Sequence, residues 1–163
     1  MRVRAASPAD LPGILTIYND VVASSTAIYT DQASTLDQRR AWFDDRVTRG
    51  FPVLVAVEGA AVLGFTSFGE FRGSWPGYAF TVEHTVLVGS GQRSRGIGTA
   101  LLEALLPIAA AMGKHVIVGG IDAENEPSLR FHERLGFERV AHLRQVGRKF
   151  DRWLDLVFMQ KFL

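Results

Sequence analysis

The chain has 163 residues, 47% of them hydrophobic, and carries 18 Lys and Arg against 17 Asp and Glu. This length predicts one well-filled domain over residues 1–163, and the net charge of +1 gives no bulk attraction to nucleic acid or to a membrane surface. The absence of Cys excludes disulfides and Cys-based sites and favours a cytoplasmic protein, and the four His show no zinc-site spacing, so we expect no metal.

The N-terminal half predicts two helices that flank the first strands. Ser7-Pro8-Ala9-Asp10 supplies a cap residue, a proline at the first helical position and an acid, which together begin a helix. Thr35 and Gln38 repeat the capping-box spacing, and Gly50 can end the second helix in a left-handed conformation. The predicted elements are a strand at 2–5, a helix through Leu11 to Val22, a helix from Thr35 to near Arg49, and strands at 52–57 and 62–68.

An irregular aromatic stretch, 69–77, precedes a C-terminal half in which strands and helices alternate. The predicted elements there are strands at 78–88, 115–121, 137–143 and 153–160, and helices at 97–112 and 127–135. Because strands precede and follow both late helices, we expect an α/β (α+β) fold, a mixed sheet covered by helices with a parallel crossover at its centre. Pro107 falls inside the longest helix and is expected to bend it. No apolar run approaches the ~20 residues that span a bilayer, so we expect a soluble protein with no membrane partner.

The segment Gly91 to Leu106, GQRSRGIGTALLEALL, places glycines and arginines between a predicted strand and a predicted helix. The free N–H groups of a helix's first turn and the helix dipole favour an anion, usually a phosphate. The glycines allow a phosphate to approach the backbone closely, and the arginines add charge-assisted donors. The register fits neither a P-loop nor a dinucleotide-binding fingerprint. A diphosphate site and a glycine-rich turn with solvated arginines are both open on these residues.

A second group of polar residues begins the last predicted helix. Asn125 can cap this helix and Pro127 can start it. Ser128 and His132 are four residues apart, so they share one side of the helix and can face a common groove. Taken alone, Asn125 also suits a plain cap, and His132 a core or surface histidine.

These motifs together resemble those of a known family over essentially the whole chain. Arg93-x-x-Gly96-x-Gly98 after a strand, followed by Asn125, Ser128 and Leu135-Gly136-Phe137, is similar to the pattern of the GCN5-related N-acetyltransferases (GNAT). Within this superfamily the chain resembles the phosphinothricin acetyltransferase group, and more closely its relatives that acetylate methionine sulfoximine and methionine sulfone. Four stretches carry this second resemblance: Ile17–Asp20, Thr81–Val86, Leu129–Gly136 and Gln145–Phe150.

The resemblance implies a GNAT fold, whose central sheet splays at the cofactor site, and acetyl-CoA as the acetyl donor. It places the donor's diphosphate at the start of the 97–112 helix and its pantetheine arm along the preceding strand, like an added strand. The cofactor-binding residues that it implies are Val86, Leu87, Val88, Arg93, Ser94, Arg95, Gly96, Ile97, Gly98, Thr99, Asn125 and Ser128.

Acetylation of an amine requires a neutral amine, stabilisation of the carbonyl oxygen and protonation of the departing thiolate. The resemblance assigns the role of base to Glu83, for which a structural carboxylate is the alternative. Strand alternation predicts that Glu83 faces the same way as Thr85 and Leu87, opposite to His84 and Val86, unless a bulge changes the phase.

His132 is the second catalytic candidate. Many members of the superfamily carry a Tyr as thiolate acid where this chain has His132, a departure shared with the phosphinothricin group. Proton donation, orientation of a water molecule and shaping of the groove are all open to this side chain.

A small amino-acid substrate carries a carboxylate, so we expect an Arg whose fork pairs with two oxygens. Arg72, in the aromatic loop, is the candidate that the residues offer, although this loop is slightly longer than the family pattern. The substrate-binding candidates are Arg72, Gly73, Ser74, Glu83, His84, Thr85 and Tyr29, with Phe150 as a further wall. Lys149 and Arg152 are interpreted as loop charges.

The function predicted from these residues is direct transfer of acetyl from acetyl-CoA to the α-amine of a small amino acid, such as methionine sulfoximine, methionine sulfone or phosphinothricin. The alternatives are acetylation of protein N-termini and a non-catalytic acyl-CoA sensor, which would need neither Glu83 nor Arg72. The stretch 145–153 resembles a segment at a dimer interface, so we expect a homodimer.

Overall fold

The computed structural model describes residues 1–163. It contains four helices: α1 (Leu11–Ser24), α2 (Leu36–Thr48), α3 (Ile97–Ala111) and α4 (Glu126–Arg134). The seven strands are β1 (Arg2–Ala5), β2 (Val53–Glu58), β3 (Ala61–Glu70), β4 (Thr81–Val88), β5 (Val116–Asp122), β6 (Glu138–Lys149) and β7 (Arg152–Phe162). None of the helices combines the length and the apolar character that crossing a membrane requires.

The strands form one mixed sheet in the order β1-β2-β3-β4-β5-β7-β6. Neighbouring strands are antiparallel except β4 and β5, which are parallel and are joined through α3. The predicted mixed sheet with a central parallel crossover is therefore confirmed.

Each face of the sheet packs on a different pair of helices. One apolar cluster joins α3 and α4 to the sheet through side chains such as Leu101, Leu129 and Val82. The other joins α1 and α2 to the opposite face through side chains such as Ile14, Phe43 and Leu87. Burial of these side chains is the main stabilising contribution to the fold. It also fixes the orientation of β4, because Val82 and Leu87 lie on opposite faces.

The central strands separate part-way along their length. β4 pairs with β5 only from Thr81 to Glu83, which lie opposite Val116 to Val118. Further along, β5 pairs with β7 alone, and residues 84–88 of β4 pair with β3 alone. The splay leaves one backbone edge of β4 without a strand partner beside the start of α3.

Element boundaries differ from the sequence prediction by more than two residues at two places. β4 begins at Thr81 rather than at residue 78, because Pro76 starts a short 3₁₀ turn that ends at Tyr78. β6 continues to Lys149 rather than ending at residue 143, since a register shift near the left-handed Gln145 (φ 55°) lets the strand pass an irregular stretch. α3 runs continuously through Pro107.

Candidate active site

The loop between β4 and α3 presents a row of free backbone donors. Ser94 and Gly96 have positive φ angles of 63° and 75°, which turn the chain sharply before the helix begins. None of the seven N–H groups from Arg93 to Thr99 donates a hydrogen bond to another backbone group, and Ala100 is the first to do so, to the carbonyl of Gly96. Because the first-turn donors of a helix also lie at the positive end of its dipole, this loop is suited to an anion.

A large cavity of about 890 Å³ lies between this loop, β4 and the start of α4. Its size is at the upper end of ligand pockets. Eleven of the twelve predicted cofactor-binding residues line it: Val86, Leu87, Val88, Arg93, Ser94, Gly96, Ile97, Gly98, Thr99, Asn125 and Ser128. The exception is Arg95, whose guanidinium contacts Gln92 and lies 3.2 Å from Glu58 on the far side of the loop.

The glycines of the loop are required for different reasons. At Gly96 the left-handed φ of 75° is the constraint, since a Cβ there would meet no atom within 4 Å. At Gly98 a Cβ would lie 3.2 Å from the ring of Phe131, so this glycine lets α3 and α4 approach each other beside the cavity. Together they keep the free N–H groups exposed to a ligand.

The opposite lip of the cavity is built by the end of β5 and the start of α4. The side chain of Asn125 caps α4 by accepting from the N–H of Ser128 at 3.2 Å. Asp122, which is 3% exposed, accepts from the hydroxyl of Thr26 and from the N–H of Glu124 at 3.1 Å. Asp122 and Thr26 were not identified from the sequence, because their contact joins residues 96 positions apart.

Glu83 lies where β4 and β5 begin to separate. No bulge interrupts the pairing of β3 with β4, so Glu83, Thr85 and Leu87 share the face that α1 and α2 cover, as strand alternation predicts. Oε1 of Glu83 is 3.3 Å from the position that a Cβ on Gly120 would take. Packing around the carboxyl group raises the pKa of Glu83, although the residue retains accessible surface. In its ionised form such a carboxyl group can act as a proton acceptor.

His84 and His132 stack on each other in the core rather than on the cavity wall. Their ring centroids are 5.2 Å apart, and the two residues are 7% and 3% exposed. Burial lowers both pKa values, that of His84 to about 3, so both rings are neutral. Nδ1 of His132 lies 2.8 Å from the carbonyl of Ser128, while its Nε2 has no hydrogen-bond partner.

A second, smaller cavity lies beside Glu83 and Thr85, on the face of the sheet covered by α1 and α2. The loop of Arg72, Gly73 and Ser74 is exposed and lines neither cavity. Arg72 has a φ of 51°, and its guanidinium lies 5.2 Å from the ring of Tyr78. The loop nevertheless lies on the same side as Glu83, because its Phe71 packs edge-on against Phe158, which adjoins Gly120.

The β6–β7 hairpin is tied to the segment after α1. Tyr29 donates its hydroxyl to the carbonyl of Asp155 at 2.6 Å, and burial with nearby carboxylates raises its pKa to about 12. Lys149 is 1% exposed, and its ammonium donates to the carbonyls of Val22, Ser25 and Ile28 at 2.6, 2.6 and 3.0 Å.

The interpretation of Lys149 as a loop charge is therefore wrong. Three carbonyl partners satisfy its three donors, so it is a buried anchor of the hairpin. Arg152 is ion-paired with Glu124 at 2.7 Å and, like Phe150, lines the large cavity.

Residues 14–137 match the family model described as "Acetyltransferase (GNAT) family". The chain is 50% identical to the L-methionine sulfoximine/L-methionine sulfone acetyltransferase of Pseudomonas aeruginosa, over 97% of this chain and 92% of that protein. A crystal structure of ribosomal-protein-alanine N-acetyltransferase from Brucella melitensis is 44% identical, with a TM-score of 0.98 and full coverage of both chains. A Salmonella typhimurium acetyltransferase solved with its cofactor acetyl-CoA is 45% identical, with a TM-score of 0.97 over 100% of this chain and 94% of that one.

The family resemblance and the fold class predicted from the sequence are both confirmed by these matches. Because the family model covers most of the chain and the relatives match it along nearly its whole length, the protein belongs to the acetyltransferase (GNAT) family of enzymes.

Proposed function

We propose that this enzyme transfers an acetyl group from acetyl-CoA directly to the α-amine of a small amino acid, such as methionine sulfoximine, methionine sulfone or phosphinothricin. The observation that carries the proposal is the row of free N–H groups from Arg93 to Thr99, which borders a large cavity beside the open edge of β4. The Pseudomonas aeruginosa relative supports the substrate class, and the Salmonella typhimurium structure supports the acetyl donor.

The residues of the large cavity fit the coenzyme. The N–H groups from Arg93 to Thr99 would hold its diphosphate, and Arg93 adds a positive charge on the cavity wall. The open edge of β4 at 86–88 offers backbone groups to the amides of the pantetheine arm. Asn125 and Ser128 close the other lip. Bound acetyl-CoA supplies an acetyl group activated as a thioester.

Glu83 is the base of the proposed reaction. Its raised pKa suits proton acceptance from the substrate ammonium, and it lies where β4 separates from β5 and lines the smaller cavity. Thr85, two residues along the same face, lines the smaller cavity with Glu83. Backbone N–H groups of β4 near Val86 are the donors available to the carbonyl oxygen of the acetyl group.

We assign His132 a positioning role rather than a proton-donating one. Its Nε2 is buried without a hydrogen-bond partner, His132 lines neither the large nor the smaller cavity, and its neutral ring stacks on His84, the residue after Glu83. Through Nδ1 it holds the carbonyl of Ser128 at 2.8 Å, at the first turn of α4. His132 therefore links the lip of the large cavity to the strand that carries the base.

Acetylation of a protein N-terminus is the second candidate function, because the Brucella melitensis structure carries that name. A thiol-release assay with acetyl-CoA separates the two. We expect turnover with methionine sulfone, methionine sulfoximine or phosphinothricin, and an N-acetyl product at the α-amine by mass spectrometry. Turnover with alanine-initiated peptides alone would contradict the proposal. Coenzyme binding without turnover of any amine would indicate the non-catalytic sensor.

The proposal includes a homodimer formed through the β6–β7 hairpin. β6 is an edge strand, and large apolar side chains on the hairpin are exposed: Val140 at 48%, Leu143 at 39%, Val146 at 55%, Phe150 at 48% and Trp153 at 61%. Such a patch is typical of an interaction surface. Analytical ultracentrifugation should give twice the chain mass, and Trp153→Lys should give the monomer.

The proposal also includes a cytoplasmic location, which the cysteine-free composition favours.

A further inference from the structure

A second, smaller cavity of about 280 Å³ lies on the α1/α2 face of β4. Glu83 and Thr85 form part of its wall on the strand side, and Tyr18, Arg39, Trp42 and Arg46 line it from the two helices. The segment after α1 lines both cavities, since Ala27 borders the large one and Ile28 the small one. The small cavity therefore adjoins the proposed acetyl site, with the proposed base on its wall.

Arg46 lies directly over the strand next to Glu83. A Cβ on Gly69 would lie 2.5 to 2.7 Å from three atoms of the Arg46 guanidinium, so the planar group rests on the glycine backbone. Gly69 pairs with Glu83 across β3 and β4, and directly paired residues share a face of the sheet. Arg46 is thus packed beside the base on a glycine, and a side chain at position 69 would displace its guanidinium.

Arg39 lies two helical turns before Arg46 on α2, about 10 Å along the helix axis. Its guanidinium is 4.0 Å from the ring centroid of Tyr18 and 4.9 Å from that of Trp42. These aromatic side chains hold the planar cation in the cavity wall.

Neither arginine has a strong anionic partner within the protein. Arg4 and Arg152 hydrogen-bond to carboxylates at 2.8 and 2.7 Å, whereas Arg39 makes no ion pair and Arg46 only a 3.7 Å contact with the exposed Asp45. The Nε atoms of Arg39 and Arg46 are buried without hydrogen-bond partners. Burial also lowers the pKa of both guanidinium groups, because it removes water from the two positive charges. A bound anion would offset this desolvation cost.

We infer that Arg46 binds the α-carboxylate of the amino-acid substrate and that Arg39 binds the oxygen-bearing group at the end of its side chain. The inference rests on the proposed function and names the residues that recognise the substrate. The α-carboxylate and the α-amine share one carbon, so an amine beside Glu83 places the carboxylate at Arg46. The tail then points along α2 toward Arg39, whose fork pairs with sulfone, sulfoximine or phosphinate oxygens.

The test compares three amines in a thiol-release assay at saturating acetyl-CoA: L-methionine sulfone, the amine left when its carboxylate is removed, and L-methionine. Arg46→Gln should lower kcat/KM for methionine sulfone roughly 10- to 100-fold, and change it less than about threefold for the amine without a carboxylate. Arg39→Gln should reduce the preference for methionine sulfone over methionine roughly tenfold.

Two further variants keep the test independent of folding defects. Gly69→Ala retains Arg46 but displaces its guanidinium, so it should reproduce the selective loss for the carboxylate-bearing substrate. Arg40→Gln changes an exposed arginine of the same helix and should leave all three amines unaffected.

Equal losses on both sulfone amines with Arg46→Gln, or a selective loss with Arg72→Gln alone, would overturn the inference while leaving the proposed function intact. A wild-type enzyme that acetylates only peptides would overturn both.

Discussion

Replacing Lys149 by Met tests whether the hairpin anchor maintains both cavities. The change removes three hydrogen bonds, of 2.6, 2.6 and 3.0 Å, from a side chain that is 1% exposed. Bonds to a charged group contribute about 1.5–3 kcal/mol each, and they are not additive because Met no longer carries the cost of burying an ammonium. We therefore expect the free energy of unfolding to fall by about 3–5 kcal/mol. For a chain of this size that is a loss of roughly 6–20 °C in Tm.

The assay is thermal unfolding followed by circular dichroism, with steady-state kinetics on the same samples. Lys114→Met is the matched control, because Lys114 makes one exposed bond, at 2.8 Å to the carbonyl of Ala79, worth about 1 kcal/mol or less. The carbonyls that Lys149 binds belong to the end of α1 and the segment after it, so the KM for acetyl-CoA and for the amine should both rise. A Tm within about 2 °C of the parent would show that the three bonds of Lys149 do not anchor the hairpin.

Three further predictions address the base, the phosphate loop and acid stability. Because Glu83 must be deprotonated to act and its pKa is raised, kcat/KM should fall as the pH is lowered, with an apparent pKa above the ordinary 4.5. Glu83→Gln should remove that limb and lower kcat about 10²- to 10⁴-fold, whereas an unchanged profile would assign the proton elsewhere. Gly96→Ala places a side chain at φ 75°, costing about 1–2 kcal/mol, and should weaken coenzyme A binding measured by calorimetry. Gly91→Ala, where an added Cβ meets nothing within 4 Å, is its control. Equal coenzyme A affinities for the two variants would show that binding does not depend on the left-handed turn at Gly96. Arg4 holds the pKa of Asp10 at about 2, below its ordinary 3.8, so this pair stabilises the fold above pH 3.8 and the contribution is lost as pH falls toward 2. Arg4→Gln should therefore narrow the stability difference between pH 6 and pH 3 by on the order of 1 kcal/mol in urea titrations, and an unchanged difference would exclude this linkage.

Local patterns predicted most of the secondary structure. The capping box at Thr35 and Gln38 forms as expected, with bonds of 2.8 and 3.2 Å, and Asn125 caps α4. Alternation along β4 also predicted the face of the sheet on which Glu83 lies, and this prediction is correct because no bulge interrupts the strand. These features depend on residues close together in the chain.

Long-range contacts were not predictable in the same way. Lys149 is a charged residue beside a turn, and its role depends on carbonyls more than 120 positions away. Arg39 and Arg46 belong to a helix rich in charge, where solvated side chains are the ordinary expectation. The packing of α2 against α1 and the sheet places their guanidinium groups in a cavity with Glu83.

Titration of ¹⁵N-labelled protein with coenzyme A, followed by backbone amide chemical shifts, tests whether the loop at 93–99 holds the diphosphate of the coenzyme. The largest shifts are expected at the amides of residues 93–99 and along 86–88, and pantetheine, which lacks the diphosphate, should shift only the amides of the strand. Coenzyme binding that leaves the amide shifts of 93–99 unchanged would contradict the placement of the diphosphate at this loop.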